Sequence, residues 1–286
     1  MLALGYFDGV HIGHRAVVAA AKELAEESGA ECGVFTFAGD LGGRFGKERG
    51  MVYTTEERKE LLLEDCGADF VYAAPCDEAF FALTKEAFLD WLEQRFPVEG
   101  YACGFDYTFG KGGAGNADFL RQYAAKRGRS FRAVEALTVG GEKVSSTEVK
   151  RLLREGEIEK ANALLTRPYF VTGKVIRERG VGRAIGFPTV NLYPSDEKLR
   201  LKNGVYGGHA EADGKEYKAI VNYGSRPTFG LYAPLVEAHL IGYDGNLYGR
   251  TMRISFDTFL RDIRKFKGEE ELKEQLQKDR EEVLRR

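Results

Sequence analysis

Apolar positions in the first half of the chain follow two alternating rhythms. Short apolar runs at 2–5, 32–37, 70–73, 101–104 and 130–134 read as buried strands. Between them, 16–27, 55–65, 85–95 and 116–126 carry helical spacing, the second opened by Thr54-Thr55-Glu56-Glu57. Strands that alternate with helices predict a doubly wound parallel sheet with helices on both faces. Residues 148–165 read as one long helical stretch, and Pro168 behind it predicts a domain boundary near 166–168.

After Tyr169 the rhythm becomes purely β. Apolar and β-branched runs at 170–176, 205–212, 218–222, 235–243 and 250–256 are separated by turns such as Asp213-Gly214 and Asp244-Gly245-Asn246. That pattern predicts a small antiparallel barrel. A charged helix at 269–285 closes the chain, mostly as a solvated face with i,i+4 pairs. The expected architecture is α/β: a parallel-sheet domain over 1–166, then a β-barrel domain with a C-terminal helix over 167–286.

A length of 286 residues suits two domains, and 43% hydrophobic with 30% charged residues describes a globular protein. The net charge of −2 removes any global electrostatic case for nucleic acid or an anionic membrane. No apolar run is long enough for a membrane helix, and the start meets Asp8 without a basic segment, so no signal peptide is expected. Cys32, Cys66, Cys76 and Cys103 show no Cys-x-x-Cys spacing. They read as reduced thiols of a cytoplasmic protein rather than a zinc site or disulfide framework. Nothing points to an obligate protein partner.

Two constellations carry candidate chemistry. Gly5-Tyr6-Phe7-Asp8-Gly9-Val10-His11-Ile12-Gly13-His14 follows the first strand and opens the first helix. In a doubly wound sheet that strand end is where phosphates dock against helix amides. His11 and His14 share a helix face and can donate to a phosphate chain as charge builds. A metal pair is the rival reading, but no third ligand has suitable spacing. Gly110 to Gly115 satisfies G-x-G-x-x-G, yet it lies too late in the domain for a dinucleotide fingerprint. Ser145-Ser146-Thr147-Glu148 reads as a capping box, whose amides and hydroxyls also suit phosphate.

The second constellation is Gly182-Arg183-Ala184-Ile185-Gly186-Phe187-Pro188-Thr189-Val190-Asn191-Leu192. If its end is extended, Thr189 and Asn191 project to one face. An oxygen-bearing pair beside a glycine-flanked loop suits a magnesium-nucleotide phosphate. The same run also reads as a plain turn before a strand.

This run resembles the signature of riboflavin kinases, in which a Pro-Thr-x-Asn segment holds Mg-ATP. Gly204-Val205-Tyr206, Asn222-Tyr223-Gly224 with Arg226-Pro227-Thr228-Phe229, Val236-Glu237-Ala238-His239-Leu240, Leu247-Tyr248-Gly249-Arg250 and the stretch from Phe259 to Phe266 follow in that family's order. The His-x-Gly-His turn resembles nucleotidyltransferases. With Phe7-Asp8-Gly9 it is similar to the FMN adenylyltransferase half of prokaryotic bifunctional FAD synthetases. Cys103 to Lys111 and Val144 to Lys150 match two later motifs of that half.

The resemblance implies a transferase that turns riboflavin and ATP into FMN, then FMN and ATP into FAD and pyrophosphate, with Mg²⁺. It puts the kinase base on Glu237, metal and phosphate binding on Thr189 and Asn191, a lid on Gly182 and Gly186, and flavin contacts on Arg264 and Phe266. It assigns His11 and His14 to the triphosphate. Gly5, Phe7, Asp8, Gly9, Asp106, Ser145, Ser146 and Thr147 complete that nucleotide site. The chain departs from the family where Ala38-Gly39-Asp40-Leu41 replaces Pro-His-Pro after Thr36-Phe37, and where Lys150 replaces arginine. A kinase with a degenerate adenylyltransferase half is therefore one alternative. A non-catalytic flavin or nucleotide regulator is another, disfavoured by Glu237, Thr189 and Asn191 together.

Overall fold

The computed structural model describes residues 1–42, 49–177, 182, 185–225 and 234–286. The stretch Arg226-Pro227-Thr228-Phe229 and the pair Arg183-Ala184, both singled out in the sequence, lie outside the described residues. By spatial contacts the chain parts into two units, residues 1–148 and 149–286.

The first unit is built on strands β1 (Leu2–Leu4), β2 (Gly33–Phe37), β3 (Phe70–Ala74) and β4 (Gly100–Gly104), a short hairpin β5 (Thr108–Phe109) and β6 (Gly115–Asn116), then β7 (Ser130–Val134). Helices α1 (Ile12–Ser28), α2 (Thr55–Glu64), α3 (Glu78–Phe81), α4 (Lys85–Glu93) and α5 (Ala117–Lys126) alternate with them, and a second hairpin pairs β8 (Thr138–Val139) with β9 (Glu142–Lys143). The main sheet has the order β3-β2-β1-β4-β7 with every pair parallel. Strand alternation splits its apolar residues between two faces. Leu2, Leu4, Phe35, Tyr101 and Cys103 join one core with Phe88, Leu89 and Leu92 of α4 and Leu120 and Ala124 of α5. Ala3, Val34 and Ala102 are also buried, and α1 lies against β1, β4 and β7. Helices thus cover both faces, as the two rhythms predict.

Helix α6 (Ser146–Glu155) carries the division between the units, and α7 (Ile158–Leu164) follows. The sequence reads 148–165 as one helical stretch; the chain breaks it at Gly156, whose φ of 79° is left-handed. Gly156 N–H donates to Leu153 O and Glu157 N–H to Leu152 O, the pair of bonds that terminates a helix on a glycine.

The second unit contains β10 (Phe170–Lys174), β11 (Val190–Leu192), β12 (Gly204–Ala212), β13 (Lys215–Ser225), β14 (Pro234–Leu240), β15 (Thr251–Arg261) and α8 (Glu269–Arg285). The order β10-β15-β12-β13-β14-β11 is antiparallel throughout. A bridge between Ile176 and Asn191 links the two edges, so the sheet nearly closes into the predicted barrel. Tyr169, Tyr206 and Tyr223 ring Phe256 inside it. Outside, Val283 of α8 packs with Val205, Ile220, Ile185 and Phe187, and Leu272 and Leu276 lean on that cluster. Asp279 of α8 is also buried and takes a forked pair of bonds from Arg261 Nε and Nη2. The last helix is therefore more embedded than its charge pattern predicts.

Helix α7 is tied to the barrel by polar bonds. Asn162 Nδ2 donates to Phe256 O at 2.9 Å, and its Oδ1 accepts from Tyr169 N at 2.8 Å. Thr258 donates to Glu159. A fragment of residues 149–286 is expected to unfold as one cooperative unit. A fragment beginning at residue 167 loses these bonds and should be less stable by about 2 kcal/mol or more. Thermal unfolding followed by circular dichroism decides this. Equal midpoints would place the boundary at residue 166 and make α7 dispensable.

Candidate functional site

The order β3-β2-β1-β4-β7 reverses direction between β1 and β4, because the chain leaves β1 toward one side and returns on the other. Ligands of such sheets bind outside the strand carboxyl ends at this switch point. The turn from Gly5 to His11 leaves β1 there, and Asp106 follows the end of β4. Phe7 and Val10 have φ of 54° and 39°, and Gly9 has 91°. Left-handed backbone at non-glycine residues costs about 1–3 kcal/mol each and persists only where surroundings enforce it. Here they do: Phe7, Asp8 and Val10 are almost fully buried. Asp8 Oδ1 accepts from Val52 N at 2.9 Å, and Ser146 Oγ donates to Asp8 O.

His11 begins α1 in place of a usual Ser, Thr, Asp or Asn cap. The His14 amide donates to His11 Nδ1 at 3.2 Å, which leaves the proton of the neutral ring on Nε2. The sequence starts this helix later because an imidazole cap is not an expected signal. The two rings stack at 3.6 Å with 14° between planes, and Phe7 meets His14 edge-on at 5.2 Å. Burial pushes His11 down to about 4, against a smaller upward pull from Asp106. Burial, then His11, then Arg58 hold His14 well below its ordinary value. Both imidazoles are therefore neutral at pH 7, and His14 Nδ1 is a buried atom without a hydrogen-bond partner.

The remaining first-unit residues fall around this turn. Asp106 is exposed and pairs with Lys143 at 2.9 Å. Ser145 Oγ accepts from Glu148 N at 3.2 Å, the bond expected of a helix cap, while Thr147 is exposed. Gly5 N–H donates to Phe35 O at the strand end. Phe7 and Asp8 are buried within the turn, and Ser146 is tied to it through Asp8 O. In the segment that replaces the family's histidine, Asp40 accepts from Gly42 N at 2.9 Å and Gly50 N at 2.7 Å, so its carboxylate serves its own loop.

In the barrel, antiparallel register sets Asn191, Glu237 and Asn222 opposite one another on β11, β14 and β13. Directly opposed residues share a face, so the three side chains form one polar row. Asn222 Nδ2 donates to Glu237 Oε2 at 3.0 Å. Asn191 is 4% exposed, and its Oδ1 has no hydrogen-bond partner. Thr189, two residues earlier, is half-buried. His239 Nδ1 donates to Pro188 O at 2.8 Å, which fixes the Pro188-Thr189 entry, and burial lowers its basicity. Ile185 N and Phe187 N both donate to Gly182 O, while Gly186 is exposed. Gly186 thus sits between two buried apolar anchors, Ile185 and Phe187. Arg264 stacks over Phe266 at 4.7 Å.

Sequence reasoning missed two residues. Asn222 sits in a quoted motif, but its role needs the strand register. Arg58 carried no motif at all; it is fully buried and donates to Tyr6 O at 2.6 Å and Phe37 O at 2.7 Å.

Comparison with known proteins covers both units. A family model described as FAD synthetase matches residues 1–148, and one described as riboflavin kinase matches residues 165–286. The bifunctional riboflavin kinase/FMN adenylyltransferase of Bacillus subtilis (strain 168) is 36% identical, covering 100% of this chain and 92% of its own. The protein of the same name from Escherichia coli (strain K12) is 31% identical, covering 98% and 90%. A solved structure described as a macrolide-efflux protein from Streptococcus pneumoniae aligns with a TM-score of 0.88 at 27% identity, covering 98% of this chain and 92% of that one. Among the described residues no helix is long and apolar enough to cross a membrane.

Acid stability tests the burial of His11. Its folded value of about 4 lies below the ordinary 6.5, so between these values only the unfolded chain takes up the proton. This group's contribution is present above about pH 6.5 and lost as pH falls toward 4, by about 3 kcal/mol. Urea unfolding of the first unit should weaken accordingly, and His11→Asn, which keeps a capping side chain, should flatten the dependence. An unchanged slope in the variant would assign the acid sensitivity elsewhere.

Proposed function

The chain belongs to the bifunctional riboflavin kinase/FMN adenylyltransferase family, and from that premise we propose how its residues divide the chemistry. The enzyme phosphorylates riboflavin with ATP to FMN, and adenylylates FMN with a second ATP to FAD and pyrophosphate. We assign the adenylyltransferase part to residues 1–166 and the kinase part to 167–286. Soluble, ATP-dependent substrates suit the cytoplasm.

In the kinase part, the terminal ribityl hydroxyl of riboflavin attacks the γ-phosphate of ATP. A hydroxyl is a poor nucleophile until its proton is taken up. Glu237 is the acceptor in this reading, with Asn222 fixing one carboxylate oxygen so that the group presents a set orientation. The observation that carries the assignment is the row Asn191, Glu237, Asn222, with its buried Asn191 Oδ1 lacking a protein partner. Such an orphaned oxygen fits a hard cation, and Mg²⁺ would be held by Asn191 and Thr189. When bound, the metal neutralises phosphate charge. Gly182 and Gly186 close over the nucleotide, and Arg264 with Phe266 meets the flavin.

In the adenylyltransferase part, an FMN phosphate oxygen bonds to the α-phosphorus of ATP as the bond to the β-phosphate oxygen breaks. The nucleophile is already anionic, so positioning and charge stabilisation dominate. His11 and His14 act as neutral donors to the triphosphate. The Ser145–Thr147 turn and Asp106 complete the same proposed site, and Gly5 to Gly9 shape it.

Product chromatography with riboflavin or FMN as starting flavin separates the two steps. Glu237→Gln should cut FMN formation by about 10²-fold and leave FAD formation from supplied FMN intact. His14→Ala should do the reverse, with a loss of about 10²-fold. Thr189→Ala and Asn191→Ala should raise the ATP and Mg²⁺ requirement of the kinase step far more than that for riboflavin. A Glu237→Gln protein with parental FMN formation would remove the base assignment.

A further inference from the structure

We infer that Arg58 is a positioning residue for adenylyl transfer, pinning the carboxyl ends of β1 and β2 at the corner from which the His11/His14 turn departs. The inference rests on the reading of that turn as the adenylyl site. Arg58 lies in the first turns of α2, which is fixed by a complete capping box between Thr54 and Glu57. Its side chain is fully buried. Nη1 donates to Tyr6 O at 2.6 Å, and Nη2 donates to Phe37 O at 2.7 Å and more weakly to Thr55 Oγ1 at 3.4 Å. The guanidinium also stands 4.6 Å from the Tyr6 ring centre.

A buried guanidinium usually answers a carboxylate, because an unpaired interior charge is expensive. Arg58 is held instead by backbone carbonyls, and its Nε has no hydrogen-bond partner. Tyr6 directly precedes Phe7, the first left-handed residue of the turn. One planar fork therefore ties the last ordinary residue of the turn to the neighbouring strand. Thr36 Oγ1 reinforces the same carbonyl at 2.7 Å. The arrangement also leaves a fixed positive charge close enough to His14 to lower its basicity, after burial and His11. An incoming triphosphate would meet that charge without any proton uptake. Lysine would keep the charge but lose the bridge, since one ammonium does not reproduce a planar fork across two carbonyls.

The test uses the full chain with Arg58→Met and Arg58→Lys. FMN formation from riboflavin serves as an internal control, and rates are expressed per folded chain below each variant's unfolding transition. Arg58→Met should lower kcat for FAD formation by about 10²-fold and raise KM for ATP in that step by about tenfold. KM for FMN and the kinase step should not move. Arg58→Lys should restore KM for ATP while kcat stays about tenfold low. A purely structural cation would lower the unfolding midpoint without this split between the two substrates. Parental kcat and KM for ATP in folded Arg58→Met overturn the inference. If that variant does not fold, parental kcat in folded Arg58→Lys overturns it equally. A parent protein that makes no FAD would instead refute the reading of the site.

Discussion

A polar group shut away from water must find a partner, and in each unit the candidate site lies where β-structure leaves such groups over. At the carboxyl ends of β1 and β2 the carbonyls of Tyr6 and Phe37 are met by Thr36 and Arg58 rather than by another strand. That clamp anchors a turn whose backbone would otherwise relax, with Phe7 and Val10 in left-handed conformations. In the barrel, Asn191 Oδ1 is left without a protein partner on the row that carries Glu237. The first borders the proposed phosphate site, and the second is the oxygen proposed for the cation.

The two architectures were legible because each strand sorts its residues cleanly. Leu2 and Leu4 face one layer and Ala3 the other, and turns such as Asp213-Gly214 interrupt the β-runs of the second unit. What escaped the sequence had physical causes. Helix α1 starts with an imidazole cap, and the break at Gly156 hides inside an apolar pattern that Ile158, Ala161 and Leu164 continue. Site residues carried by local motifs, such as His11, His14, Thr189, Asn191 and Glu237, were readable as candidates. Asn222 needed three strands in register, and Arg58 reaches a carbonyl 52 residues away.

The departures from the family pattern now have a structural setting. The segment after Phe37 lacks the family's histidine, and its Asp40 is absorbed by the amides of Gly42 and Gly50. Tyr6 Oη ties the same segment down, donating to Gly39 O and accepting from Leu41 N. The corner nevertheless retains a cation, because Arg58 is fixed beneath it. Burial holds His11 and His14 below their ordinary values, so both are neutral at pH 7. The proposed adenylyl site would draw its charge stabilisation from a built-in guanidinium and neutral donors, which suits a reaction that needs no general base.

The central claim is that two chemically independent sites act in series on one flavin. The most direct measurement mixes two variants, Glu237→Gln and His14→Ala, with riboflavin, ATP and Mg²⁺, and follows FAD by chromatography. Alone, the first should yield almost no FMN and the second should stop at FMN. The account predicts that the mixture makes FAD, because FMN released by one protein is adenylylated by the other. A mixture that stops at FMN, while the parent protein makes FAD, would contradict it.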